Sequence, residues 1–262
     1  MGVLNVTPDS FSDGGRNFDP VQAIDRALEM EGEGADIVEV GGESTRPCAT
    51  ALSVEDEIAR IGPVLKTLGA RLKVPIAIDT YKSEVARAAV ELGAAIINDV
   101  SALRFDPAIA DLAAQTGAAL VLMHMRGTPA TMQKLPPSPD IFAEIDLDLR
   151  IAIDLAVRTG VSREQIVIDP GIGFGKTLED NVAILNHLDR FGSFGLPLMI
   201  GTSRKSFIGR LTGQSASERL FGTAASVAIA IARGAHMIRV HDVTEMVEAA
   251  CVSDAIVESS TA

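Results

Sequence analysis

The sequence has 262 residues, 47% hydrophobic and 22% charged, with no tract of biased composition, so it can bury one large core and is neither fibrous nor disordered. Acidic side chains outnumber basic ones 35 to 23, a formal net charge of −12, which argues against nucleic acid and anionic membrane as partners. A small anionic substrate stays open, because it needs only a local cluster of Arg and Lys.

Short β-branched runs alternate with helical patterns along the chain. Strands are expected at 2–5 (GVLN), 36–41 (DIVEVG), 75–79 (PIAID), 95–100 (AIINDV), 118–123 (AALVLM), 165–169 (QIVID), 197–201 (PLMIG) and 236–240 (HMIRV). Eight helical patterns lie between and after them, from "PVQAIDRALEMEGEG" to "VTEMVEAACVSDAIV". This alternation predicts an α/β fold with a parallel sheet and outer helices, and eight units with nearly all-apolar strands favour a closed (β/α)8 TIM barrel over an open doubly wound sheet. No linker interrupts the pattern, so residues 1–262 are expected to form a single domain. The Pro-rich segment 127–140 is expected to be a surface loop. The apolar stretch 222–240 is broken by Arg233, His236 and Arg239 and reads as a buried helix running into a strand, or as a helix covered by a second subunit, rather than a membrane span. The start has no basic segment leading into an apolar one, and Cys48 and Cys251 have neither metal-ligand nor disulfide spacing, so a cytoplasmic protein with free thiols is expected.

The polar residues cluster after the strands: Asn5 with Asp9 and Asp13, then "GGESTRP" (41–47), "DTYK" (79–82), "NDVS" (98–101), "HMRGT" (124–128), "DPGIGFGK" (169–176), "TSRKS" (202–206) and "RVHDV" (239–243). The segments before the strands are plain connectors. Barrel enzymes place their chemistry at the C-terminal ends of strands, so this asymmetry points to an enzyme. Asp79, Asn98 and Asp169 fall where strands end and can converge on a donor- and acceptor-rich heterocycle, or can cap the following helices. Arg204 and Lys205 precede a helix opened by Ser206, an arrangement suited to an anion. Arg46, Arg239 and His241 add donors, and with Asn5 and Asp9 nearby a diphosphate with Mg²⁺ becomes plausible. "PGIGFGKT" resembles a phosphate loop, but Pro170 stands where the first glycine is required, so its glycines are expected to bring backbone and Phe174 close to a ligand.

Taken in order, "LNVTPDSFSDGG", "GGESTRP", "DTYK", "INDVSAL", "IDPGIGFGK", "GTSRKSFIG" and "RVHD" resemble the dihydropteroate synthase family over residues 2 to 245. The resemblance implies condensation of 6-hydroxymethyl-7,8-dihydropterin diphosphate with 4-aminobenzoate, a homodimer, and a target for sulfonamides. Carried over by motif, Asp79, Asn98, Met123, Asp169 and Lys205 would hold the pterin. Asn5, Arg46, Arg239 and His241 would hold the diphosphate, with Mg²⁺ near Asn5. Thr45, Pro47, Phe174, Lys205 and Ser206 would form the 4-aminobenzoate site. Asp79 and Lys205 would act in catalysis, with Asp9, Asp13 and Phe11 on a mobile lid after strand 1 and the 45–47 loop closing from the other side. The family usually has Asp where this chain has Glu39 and Gly where it has Cys48, and Glu39 is expected to shift the second loop. Two other classes share such a barrel: methyltetrahydrofolate-binding methyltransferases, and paralogues that bind pterin without turnover.

Overall fold

The computed structural model describes residues 1–7, 19–44 and 51–259. Six parallel strands hydrogen-bond in chain order: β1 (Gly2–Asn5), β2 (Val38–Gly41), β3 (Ile76–Asp79), β4 (Ala94–Asp99), β5 (Ala119–Met123) and β6 (Ile166–Asp169). β7 (Met199–Ile200) and β8 (Met237–Ile238) form a further parallel pair. Backbone bonds join the two groups at both seams. The Ile168 N–H donates to the Pro197 carbonyl at 2.9 Å, the Val3 N–H to the Val240 carbonyl at 2.9 Å, and the Val240 N–H to the Met1 carbonyl at 3.0 Å. The ring is therefore closed, as the TIM-barrel expectation requires, whereas an open sheet would leave β1 and β8 as edges.

Nine α-helices surround the barrel among the described residues, against the eight expected: α1 (Pro20–Gly32), α2 (Val54–Arg71), α3 (Ser83–Glu91), α4 (Ala108–Thr116), α5 (Ile141–Thr159), α6 (Leu178–Asn186), α7 (Ser206–Thr212), α8 (Leu220–Ala232) and α9 (Val243–Ser259). The extra one is α7, which Gly213 ends at φ +77° before α8 begins. Helix starts follow local chemistry. Asp19 accepts from the Val21 N–H, Asp140 from Phe142 and Ala143, and Thr177 forms a reciprocal box with Asp180.

Strand alternation sets which residues face inward. Val38, Val40, Ile76, Ile78, Leu120, Leu122, Ile166 and Ile168 are buried in the large core beneath the helices. The opposite parity fills the barrel: Ala77, Ile96, Val121 and Met199 pack with Ile37, Val167 and Met237. Continued upward, that inward parity reaches Asn5, Asp79, Asn98, Met123, Asp169 and Arg239. The closed apolar plug thus carries a polar layer at its C-terminal mouth.

Candidate active site

Asp79 ends β3 and pairs in register with Asn98 on β4, while Met123 on β5 pairs with Asp169 on β6. Asp79, Asn98, Met123 and Asp169 are all buried. None of the three polar residues caps a helix. α3 has Lys82 at its N-cap without a side-chain bond, and its first turn is served by Asp106, which accepts from the Ser83 N–H at 2.7 Å. Asp169 instead accepts from the Gly171 N–H at 2.7 Å, and Asn98 donates to the Glu39 carboxylate at 2.7 Å. Asp79 Oδ1 and Asn98 Oδ1 are buried without a hydrogen-bond partner among the described residues. Orphaned buried acceptors are costly, so this pair marks a place where a donor-bearing ligand belongs.

Arg239, just past β8, lies across this layer. Its Nε donates to Glu39 Oε2 at 2.7 Å and its Nη2 to Glu39 and to Asp79 Oδ2, the latter at 2.9 Å. Burial would lower the guanidinium pKa, but Glu39 and Asp79 outweigh it and raise it, so Arg239 is a permanent cation. Burial, reinforced by the negative charge of Glu39 and opposed by Arg239, pushes Asp79 up to about 7. Burial also raises Asp169, against the pull of Lys205.

Lys205, at the N-cap of α7, points back over the site. Its Nζ donates to the Ile172 carbonyl and stands 4.7 Å from the centre of the Phe174 ring. Burial, offset by Asp169, lowers it to about 8. A cavity of about 660 Å³ opens here, lined by Asn5, Gly173, Phe174, Lys205, Ser206, Arg239 and His241 among others. Arg204 also borders this cavity, but its guanidinium is committed elsewhere. At φ 57° its side chain turns to Asp242, which corrects the expectation of an Arg204–Lys205 anion pair.

The "DPGIGFGK" glycines serve neighbouring loops more than a ligand. A Cβ on Gly171 (φ +71°) would lie 1.9 Å from the His124 carbonyl oxygen, and one on Gly175 (φ +70°) 2.6 Å from Arg126 Cβ. Only Gly173 borders the site, where a Cβ would press on the Lys205 stem at 3.2 Å. Lys176 fastens this loop to the previous one, reaching His124 Nδ1 at 2.9 Å, and burial lowers it to about 7. The Pro-rich 127–140 segment is not wholly surface, since Met132 is buried with Val100, Met123 and Met125 beside Phe174.

Two groups were missed by reading strand ends singly. Glu39 was expected to shift the second loop, whose residues 45–50 lie outside the described residues; within them it lies fully buried (0% exposed) inside the barrel, holding Asn98 and Arg239. Strand parity could have found it, because Ile37, Glu39 and Gly41 share the inward face. Glu43 and Glu57 hold Lys82 Nζ at 2.5 and 2.7 Å, Tyr81 also donates to Glu43, and the Leu52 N–H and carbonyl bind Glu43 and Lys82. No local pattern links these residues. Of the other predicted residues, Asp9, Phe11, Asp13, Thr45, Arg46, Pro47 and Cys48 lie outside the described residues.

Residues 1–241 match the family of pterin binding enzymes. The dihydropteroate synthase of Escherichia coli (strain K12) is 48% identical over 255 residues, covering 97% of this chain and 90% of that protein. The Yersinia pestis dihydropteroate synthase, solved as a sulfonamide drug complex, superposes with a TM-score of 0.92 at 42% identity, covering 98% of this chain and 93% of that one. The Xanthomonas albilineans dihydropteroate synthase with 4-aminobenzoic acid gives 0.91 at 45% identity, covering 98% and 92%. A closed barrel with an acidic, amide- and lysine-lined mouth is thus an enzyme of the pterin-binding class. Within that class the chain belongs to the dihydropteroate synthase family, the folate-pathway transferases that condense a dihydropterin diphosphate with 4-aminobenzoate. The methyltransferase alternative is set aside by these relatives.

Proposed function

We propose that one barrel domain, residues 1–262, carries the whole reaction, with the pterin ring lying on Asp79, Asn98, Asp169 and Lys205 against Met123. The orphaned acceptors Asp79 Oδ1 and Asn98 Oδ1 carry this assignment. They suit the N–H groups of a 2-amino-4-oxo heterocycle, and Lys205 supplies a donor for a ring acceptor. Asn5, Arg239 and His241, together with Arg46, take the diphosphate. Phe174, Ser206 and the Lys205 stem, with Thr45 and Pro47, take 4-aminobenzoate.

The bond between the pterin methylene and the diphosphate oxygen breaks first, its electron pair leaving with the diphosphate. The positive charge left on the methylene spreads into the electron-rich ring, where ionised Asp79 stabilises it. The aniline nitrogen, unprotonated at neutral pH, then attacks the methylene and afterwards loses a proton. No strong general base is needed. Asp9 and Asp13, which follow β1 in the chain, supply polar groups.

Asn5 fits a Mg²⁺ role of limited kind. Among the described residues no three His, Cys, Asp or Glu side chains gather as a metal cage. Mg²⁺ typically uses one or two protein oxygens with water and substrate phosphate, and the half-buried Asn5 lines the cavity at the end of β1 with one such oxygen. When bound, the ion would neutralise charge on the leaving diphosphate.

The test is diphosphate release from purified chain, pterin diphosphate and Mg²⁺. Release should depend on 4-aminobenzoate and fall at least about 10²-fold in Lys205→Ala. Tight pterin binding without release would favour the non-catalytic paralogue.

A homodimer and a cytoplasmic location complete the proposal. No helix among the described residues is long and apolar enough to cross a membrane. Exposed Val182, Leu211 and Ile229 form an apolar surface over α6, α7 and α8 that a second copy would cover, and Phe221, 86% exposed, stands next to Gly222 of that lining. Sedimentation should give twice the chain mass of 27.5 kDa, and Phe221→Asp should shift it toward the single chain.

A further inference from the structure

We propose that Glu39 is a positioning residue that decides which atom of the Asn98 amide meets the pterin. Its carboxylate takes the amide N–H, turns the Asn98 oxygen to the ligand, and pins one edge of Arg239. The inference rests on the pterin assignment above and adds the group that makes it selective.

Glu39 pairs in register with Val3 and Ala77, one pleat below the level of Asp79 and Asn98. A carboxylate buried at that depth must be fully partnered. Its Oε1 accepts from Asn98 Nδ2 at 2.7 Å, and its Oε2 accepts from Arg239 Nε at 2.7 Å and from Nη2. The two ends of an amide have nearly the same shape, so its orientation is set by its partners. If Asn98 turned over, its oxygen would face the Glu39 oxygen, replacing a charge-assisted bond with two opposed acceptors. Held as it is, Asn98 offers an unpartnered oxygen beside the unpartnered Asp79 Oδ1. Two fixed acceptors call for a ligand edge rich in N–H donors and penalise one bearing oxygen. The same carboxylate occupies the Nε–Nη2 edge of Arg239, whose side chain also lines the cavity with Asn5 and His241.

The test compares two compounds by calorimetric titration of the full chain: 6-carboxypterin, with a 2-amino group, and 6-carboxylumazine, with oxygen in its place. Unaltered chain should favour the amino compound. In Glu39→Gln the side-chain amide can donate to the Asn98 oxygen and release Asn98 to turn, so the preference should fall at least about tenfold, and Glu39→Asp, which keeps the acceptor, should retain it. A preference within about twofold of the unaltered chain in Glu39→Gln would overturn the proposal, as would equal loss of both ligands in both variants. An unaltered chain that binds neither compound would overturn the pterin assignment itself. Should Glu39→Gln fail to fold, the Asn98 side-chain amide in the ligand-free, ¹⁵N-labelled chain decides. Slow hydrogen exchange of the Asn98 side-chain N–H supports the proposal, and exchange at the rate of an exposed amide contradicts it.

Discussion

Asp79→Asn should lower kcat/KM for the pterin diphosphate by about 10²–10³-fold, the scale expected when one preorganised charge is removed from a developing transition state. The substitution keeps shape, but Arg239 donates to the Oδ2 position and holds the amide oxygen there, so an NH2 group replaces the acceptor Asp79 Oδ1 and pterin binding should weaken along with turnover. The loss should therefore appear in both KM and kcat. Steady-state kinetics on the variant, with a pterin binding measurement alongside, separate the two effects. The reason lies in the charge balance of the site. Arg239 bonds to both carboxylates of the pair, and Glu39, the deeper of the two, has both its oxygens engaged by Asn98 and Arg239. Asp79 is the carboxylate with an oxygen still uncommitted. Removing its charge leaves the pterin cation over a floor with one fewer anion.

Arg239→Ala should be the most destabilising change at the site. It strands Glu39, which is fully buried, and Asp79, which is nearly so, without their shared cation. Breaking a buried ion pair from one side typically costs about 3–5 kcal/mol, which for a domain of this size lowers Tm by about 10 °C. Thermal unfolding measures it directly. Adding Glu39→Gln to Arg239→Ala should restore part of the loss, because the deeper of the stranded charges is then gone. A simple sum of the two single effects would show that the ion pair is not the cause. Activity should fall in Arg239→Ala regardless of stability, since the same guanidinium lines the cavity assigned to the diphosphate.

Much of this arrangement was legible because barrels translate chain order into position. Asp79, Asn98, Asp169 and Arg239 each follow an apolar run by the spacing that ends a strand, and the closed ring brings those ends together. Lys205 was legible as a site residue from its place after β7, but its direction toward Ile172 and Phe174 was not. Arg204 shows the limit of reading neighbours together. A non-glycine residue at positive φ sends its side chain to Asp242, and no propensity foretold that turn. Glu39 was visible only as a departure from the family's usual Asp, because strand ends were weighed singly while its inward parity was not. The Glu43–Tyr81–Lys82–Glu57 cluster joins residues 25 to 39 positions apart, beyond any local pattern. The short α7 was visible only as the helix that Ser206 opens and was not among the eight counted patterns, because seven residues are too few to show a helical period.

The most direct test of the central claim, that one buried charge layer both holds the pterin and stabilises its cation, is the pH dependence of kcat/KM for the pterin diphosphate. Asp79 must be ionised to stabilise the cation, so activity should fall as pH drops below its value of about 7. Lys205 must be protonated to donate, so activity should fall again as pH rises above its value of about 8. The predicted profile is a narrow bell peaking between these apparent values, with the acid limb missing in Asp79→Asn. A profile flat across both values, or an acid limb unchanged in Asp79→Asn, would contradict the claim.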